Sequence, residues 1–186
     1  MGFRRAFMFL VPAFLGLLSG EALAAPPWRL LKVIPLPGVE GRIDHFSADV
    51  KGRRVFFSAL GNNTVEVIDA KTNRRLHEIQ GLQEPQGTLY VPDFNKLFVA
   101  NRKTGEVDIF DGTSYRLVDR LNLYRDADNV RYDRIHRMVY VGYGEGALGA
   151  IDPQTDKMVS SIPLRIHPES FQLEESSDRI YANQPG

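Results

Sequence analysis

The sequence contains no cysteine. That absence excludes disulfides, thiolate metal sites, covalent c-type haem and a cysteine nucleophile. An excess of charge of one sign is missing too: 23 Lys and Arg face 23 Asp and Glu, with 4 His. Nothing in the overall charge attracts nucleic acid or an anionic membrane, and neither is expected as a partner. There is no G-x-S-x-G, no H-E-x-x-H and no P-loop, so the common signatures of serine hydrolases, zinc proteases and NTPases are absent. Long apolar runs are lacking except for residues 6–18, and that run is broken by Pro12 and Gly16.

The apolar run follows Arg4 and Arg5 and precedes Ala22-Leu23-Ala24, a small-x-small cleavage pattern. It is too short to span a bilayer and reads as a secretory signal peptide, residues 1–25, cut after Ala24 or Ala25. The expected location is the bacterial periplasm, with no membrane attachment after cleavage. The 161 residues from Pro26 onward hold 21 basic and 22 acidic residues. An exported domain without disulfides depends on its core, and 43% hydrophobic residues can supply one.

What is present in quantity is repetition. The apolar pairs Val55-Phe56, Leu97-Phe98, Val139-Tyr140 and Ile180-Tyr181 start 42, 42 and 41 residues apart. Asp69, Asp111 and Asp152 close the segments TVEVID, EVDIFD and ALGAID, and Thr72, Ser114 and Thr155 follow three residues later. Asp-x-x-Thr/Ser is turn chemistry, with short side-chain oxygens accepting from nearby backbone N–H groups. Each unit holds four segments of strand length. Four short strands at this period predict an all-β fold, a β-propeller of four-stranded blades. The loose alternation along the segments fits blades buried on both faces.

The domain layout follows from the repeat: blades at about 42–82, 84–123 and 126–164, and a half blade at 167–186. WRLLKVIPL (28–36) matches the last strand of each unit, as in RRLHEIQGL (74–82) and YRLVDRLNL (115–123). In a closed ring such a strand completes the final blade. Closure takes four to eight blades. An open face of ~500 Å² would forfeit roughly 12 kcal/mol at ~25 cal/mol/Å². The expectation is therefore a fragment of a longer propeller, or copies that assemble to close one.

The segments VFFSALGNNTVEVID, LFVANRKTGEVDIFD and VYVGYGEGALGAID resemble the YVTN repeat of bacterial propellers. From Trp28 onward the layout is similar to the exported YncE-like proteins. Asn101 fills the motif's Asn position; Ala59, Tyr143 and Gln184 stand there in the other units. The resemblance implies a periplasmic seven-bladed ring but no single activity. Related propellers include the haem domain of nitrite reductases and lactone-processing enzymes.

Aligned on the apolar pairs, the lead-in segments of the units are RIDH (42–45), EPQG (84–87), DADN (126–129) and HPES (167–170). They precede the innermost strands and should meet at the mouth of a central channel. The candidate ligand-binding residues are Asp44, His45, Gln86, Asp128, Asn129, His167 and Glu169. Converging carboxylates repel one another unless a cation or donor joins them. Such a ring suits a cationic or polyhydroxylated ligand or a divalent metal. Catalytic residues, metal ligands and cofactor are left unassigned. The favoured reading is a non-catalytic propeller binding a small molecule or a periplasmic protein. The alternatives are a metal-dependent, lactonase-like hydrolase using Asp44, Asp128, Asn129 and Glu169, and a haem-handling propeller with His45 or His167 as axial ligand.

Other features read as structural. His77 falls in an outer strand and His136 in a surface turn. Gly144 to Gly149 fits G-x-G-x-x-G, but the repeat makes it a hairpin, and Asp152-Pro153 stands where a helix is required. Asn62-Asn63-Thr64 matches a glycosylation sequon and also a hairpin turn. Arg131, Arg134 and Arg137 form a basic cluster too small to indicate nucleic acid.

Overall fold

The structure, a computed structural model, describes residues 28–184. The expected signal peptide lies outside the described residues. Residues 28–33 fall in one compact unit and Ile34 onward in another. Of the first unit's described residues, 28–33, Trp28, Leu30, Leu31 and Val33 are exposed and none is in a helix or strand.

The second unit is built of antiparallel sheets. β1 (Phe46–Asp49), β2 (Arg54–Ala59), β3 (Thr64–Asp69) and β4 (Arg74–Ile79) form the first, in sequential order. β5 (Pro85–Val91), β6 (Lys96–Asn101), β7 (Glu106–Asp111) and β8 (Leu117–Asn122) form the second. β9 (Val130–Asp133), β10 (Met138–Tyr143), β11 (Ala147–Asp152) and β12 (Lys157–Pro163) form the third. β13 (Phe171–Leu173) and β14 (Ile180–Ala182) make a two-stranded hairpin. These are three four-stranded blades and the start of a fourth.

The strand expected over 28–36 does not form. A last strand needs a third strand to pair with. β3, β7 and β11 already carry β4, β8 and β12, and the β13–β14 hairpin has no third strand among the described residues.

The blade turns follow from the Asp positions. Asp69 Oδ1 accepts from the N–H of Lys71 (2.7 Å) and Thr72 (3.1 Å). Asp111 Oδ1 accepts from the N–H of Ser114 (2.7 Å) and from its hydroxyl (2.8 Å). Asp152 accepts from Gln154 N–H (2.9 Å) and from the Thr155 hydroxyl (2.9 Å). These bonds hold all three carboxyls below the usual carboxylate range. Asn73, Tyr115 and Asp156, four residues after each Asp, all take a left-handed conformation (φ 57°, 57° and 59°). The sequon residue Asn63 is another left-handed residue, at φ 59°, closing a 3-10 turn at Leu60–Asn62. Gly144–Gly149 spans the β10–β11 hairpin, so a strand and not a helix follows it.

Period-2 alternation decides which blade each side chain meets. In β6, Leu97 and Val99 join Phe56, Val65, Val67 and Ile79 in a core between the first and second blades. The alternate residues Phe98 and Ala100 join Val130, Val139, Val141 and Ile151 in a core between the second and third. A strand buried on both faces is apolar at consecutive positions, which is why its alternation in sequence is weak. The outer strand β12 is exposed throughout.

Neighbouring blades are also joined by a recurring polar latch. Arg54, at the head of β2, donates to the Gly112 carbonyl and to Tyr115 Oη (3.0 Å). Lys96, at the matching head of β6, donates to the Pro153 carbonyl (2.8 Å) and to Asp156 Oδ2 (2.6 Å). Gly112 and Pro153 each directly follow the turn Asp of the next blade. Met138 holds the same position at the head of β10.

Candidate functional site

The inner strands β1, β5 and β9 stand side by side, β1 against β5 and β5 against β9, with β13 next to β9. The lead-in segments before them are therefore neighbours. Gly87 shows how closely they approach. A Cβ there would lie 2.1 Å from the Asp128 carbonyl oxygen and 2.7 Å from a Val130 methyl. Any side chain at this position would push the second and third lead-ins apart.

Asp128 is the centre of the cluster. It is 6% exposed, and its Oδ1 has no hydrogen-bond partner. Its backbone N–H is used by the Gly142 carbonyl (2.9 Å), so the residue is fixed in place. Burial pushes its carboxyl above the ordinary value. The nearby His45 and His167 oppose that rise, while the charges of Asp44 and Asp126 add to it. Four lead-in side chains, from three units, thus act on one carboxylate.

His167 lies alongside. Its Nδ1–H donates to the Gly144 carbonyl (2.7 Å), which orients the ring with Nε2 toward Asp128. Nε2 stands 3.8 Å from Asp128 Oδ2. That gap is too long for a direct hydrogen bond. Across the cluster, Arg42 Nη2 is 2.6 Å from Asp44 Oδ2, and His45 Nδ1 is 2.7 Å from Asp44 Oδ1. Neither contact has hydrogen-bond alignment, and Asp44 Oδ2 and His45 Nδ1 remain buried and unpartnered. Gln86 is also buried, with Oε1 unpartnered.

Asn129 and Glu169 play a different part. Asn129 Nδ2 donates to the Glu169 carbonyl (2.6 Å), and its Oδ1 accepts from Arg131 (3.1 Å). Both ends of Asn129 are occupied, tying the third lead-in to the fourth. Glu169 contributes its main-chain oxygen, while its side chain is exposed. The structure thus brings Asp44, His45, Asp128 and His167 into electrostatic reach and buries Gln86 in the second lead-in. It uses Asn129 and Glu169 as braces. Among the described residues, no three His, Asp or Glu side chains are arranged to hold a metal ion.

The other histidines are structural. His77 stacks on Tyr115 at 4.9 Å between ring centroids. His136 pairs with Asp133 (2.7 Å) and reaches Asp178 of the β13–β14 turn (3.3 Å), which raises its pKa. Sequence reasoning passed over Arg131 as a site residue. The basic spacing at 131, 134 and 137 was its only signal.

No family model matches the chain, and no curated protein matches it. Among solved structures the chain is similar to hydrazine synthase from Kuenenia stuttgartiensis, with a TM-score of 0.69 and 19% identity. The likeness covers 74% of this chain and 40% of that one. At this identity the likeness concerns the fold alone. With the blade sheets described above, the described residues are all-β apart from one 3-10 turn, and their sheets are those of an incomplete β-propeller.

Proposed function

We propose that the chain belongs to an exported, YVTN-repeat propeller of the YncE-like kind, which binds a small donor-rich ligand at the mouth of its channel without transforming it. One observation carries this reading. The buried lead-in oxygens Gln86 Oε1 and Asp128 Oδ1 have no hydrogen-bond partner, and Asp44 Oδ2 has only the misaligned Arg42 contact; all three are acceptors. Buried acceptors without donors are costly, about 1–3 kcal/mol each. A ligand bearing hydroxyl or ammonium groups would supply the donors. His167 Nε2 and Asp128 Oδ2, 3.8 Å apart, are close enough for one such group beside them to bond to both.

A hydrolase reading keeps one supporting feature, the Asp128–His167 pair, but a metal-dependent version lacks a ligand set among the described residues. The haem reading has only the position of His167 Nε2, beside Asp128, in its favour. The YVTN assignment rests on the three quoted repeats, and periplasmic location rests on the pattern of residues 1–25.

The test uses calorimetric titration of the full chain with a polyol (glucose) and an amine (ethanolamine). At least one should bind saturably and be recovered unchanged. Asp128→Asn and Gln86→Leu should each weaken it about tenfold, equivalent to ~1.4 kcal/mol. Undiminished binding in both folded variants would remove the mouth as the site.

A further inference from the structure

At the opposite ends of the inner strands lies a separate cavity of about 700 Å³. Its lining includes Lys51, Arg131 and Arg134, together with Leu89, Tyr90 and Tyr132. Among the described residues none of the three cations has a carboxylate within salt-bridge distance. Arg131 is half-buried, and its guanidinium donates only to neutral oxygens, the Val130 carbonyl (2.9 Å) and Asn129 Oδ1 (3.1 Å). It also lies over the Phe171 ring, 5.8 Å from the centroid. Two carboxylates line the cavity, Asp49 and Asp93. Asp49 is already neutralised by Arg54 at 2.7 Å, and Asp93 accepts from Tyr132 Oη at 3.0 Å.

A half-buried guanidinium with no carboxylate at salt-bridge distance is unusual: its desolvation is offset by neutral dipoles and by the more distant charge of Asp128. Here two further unpaired cations share the cavity with it, and Leu89, Tyr90 and Tyr132 supply apolar and aromatic surface beside the two occupied carboxylates. We propose that this cavity binds an organic carboxylate, with the carboxylate on Arg131 and its carbon skeleton against Tyr90, Tyr132 and Leu89. Arg131 is suited to the head group because its planar fork matches two carboxylate oxygens. The aromatic and aliphatic wall selects against small inorganic anions, which have no apolar surface to bury. The inference stands apart from the mouth site, since it uses none of the unpartnered acceptors there.

The experiment is an NMR titration of the full chain with sodium benzoate at constant ionic strength, with inorganic phosphate as comparison. Benzoate should produce saturable shifts at the amides of Lys51, Gly52 and Tyr132, and phosphate should bind more weakly. Arg131→Gln should weaken benzoate about tenfold. Arg131 also braces Asn129, so two exposed positions provide a second test. Lys51→Gln and Arg134→Gln should each weaken binding roughly threefold. Asp128→Asn should leave it intact or tighten it, because a negative charge near Arg131 is removed. Linear, unsaturated shifts would overturn the proposal. So would unchanged affinity in folded Lys51→Gln and Arg134→Gln proteins, or a loss on Asp128→Asn.

Discussion

At the scale of single residues, Asp128 and Asp111 show how one side chain serves two ends. Asp111 is exposed to backbone donors in a turn, and its carboxyl is held below the usual range. Asp128 is buried, one of its oxygens has no donor, and its carboxyl is held above that range. A raised carboxyl pKa means that the folded state binds more protons than the unfolded chain above pH 3.8, the unfolded value. Stability therefore falls as pH rises from 3.8 through the folded pKa. Below 3.8 both states are protonated and the penalty disappears. Asp128→Asn should thus raise the melting temperature by a few degrees at pH 7, and the gain should vanish near pH 3. The same substitution should weaken the mouth ligand. Scanning calorimetry at the two pH values checks the first half. A variant less stable than the parent at pH 7 would show that Asp128 is a structural residue whose charge is satisfied.

At the scale of elements, the latch between blades is the repeated device that sequence did not announce. Strand periods, hairpins and Asp turns were legible because each depends on chemistry within a few residues. The meeting of Asp44, His45, Asp128 and His167 was legible because the repeat sets where each lead-in stands. Side-chain direction was not: Glu169 offers a carbonyl and Arg131 lies in the cavity, and both depend on contacts some 40 residues away, across blades. The latch belongs to this second kind. Lys96 is 17% exposed and Asp156 9% at their side chains, so their pair is largely screened from water. Lys96→Met mimics the residue that the third blade carries at the same position. It should cost about 3 kcal/mol, since Asp156 then stays buried without a cation. Adding Asp156→Ala should restore part of that loss, and urea unfolding of both single variants and the double variant would show it. Strict additivity would mean that the two side chains stabilise the blades independently.

At the scale of the molecule, the apolar core of each blade is shared with its sequence neighbours, and stability is then approximately a sum of blade and interface contributions. The second blade stands in both core clusters, through Leu97 and Val99 on one face and Phe98 and Ala100 on the other. The first blade contributes to one cluster only, and the β13–β14 hairpin is joined to the third blade chiefly through Phe171, Asn129 and His136. Local opening should follow that order. In native-state hydrogen exchange, amides of β6 and β7 should open at a free energy close to global unfolding. Those of β1 and β4 should open below it, and those of β13 and β14 first. Because His136 is raised by Asp133 and Asp178, its attraction to the hairpin is complete below pH 6.5 and is lost as pH rises through the folded value. Hairpin protection, corrected for intrinsic exchange, should therefore be lower at pH 8 than at pH 6, while that of β6 is unchanged. Equal protection across all blades would instead mean that the chain unfolds as one cooperative body. The lead-in cluster would then share the full stability of the core rather than that of its weaker neighbours.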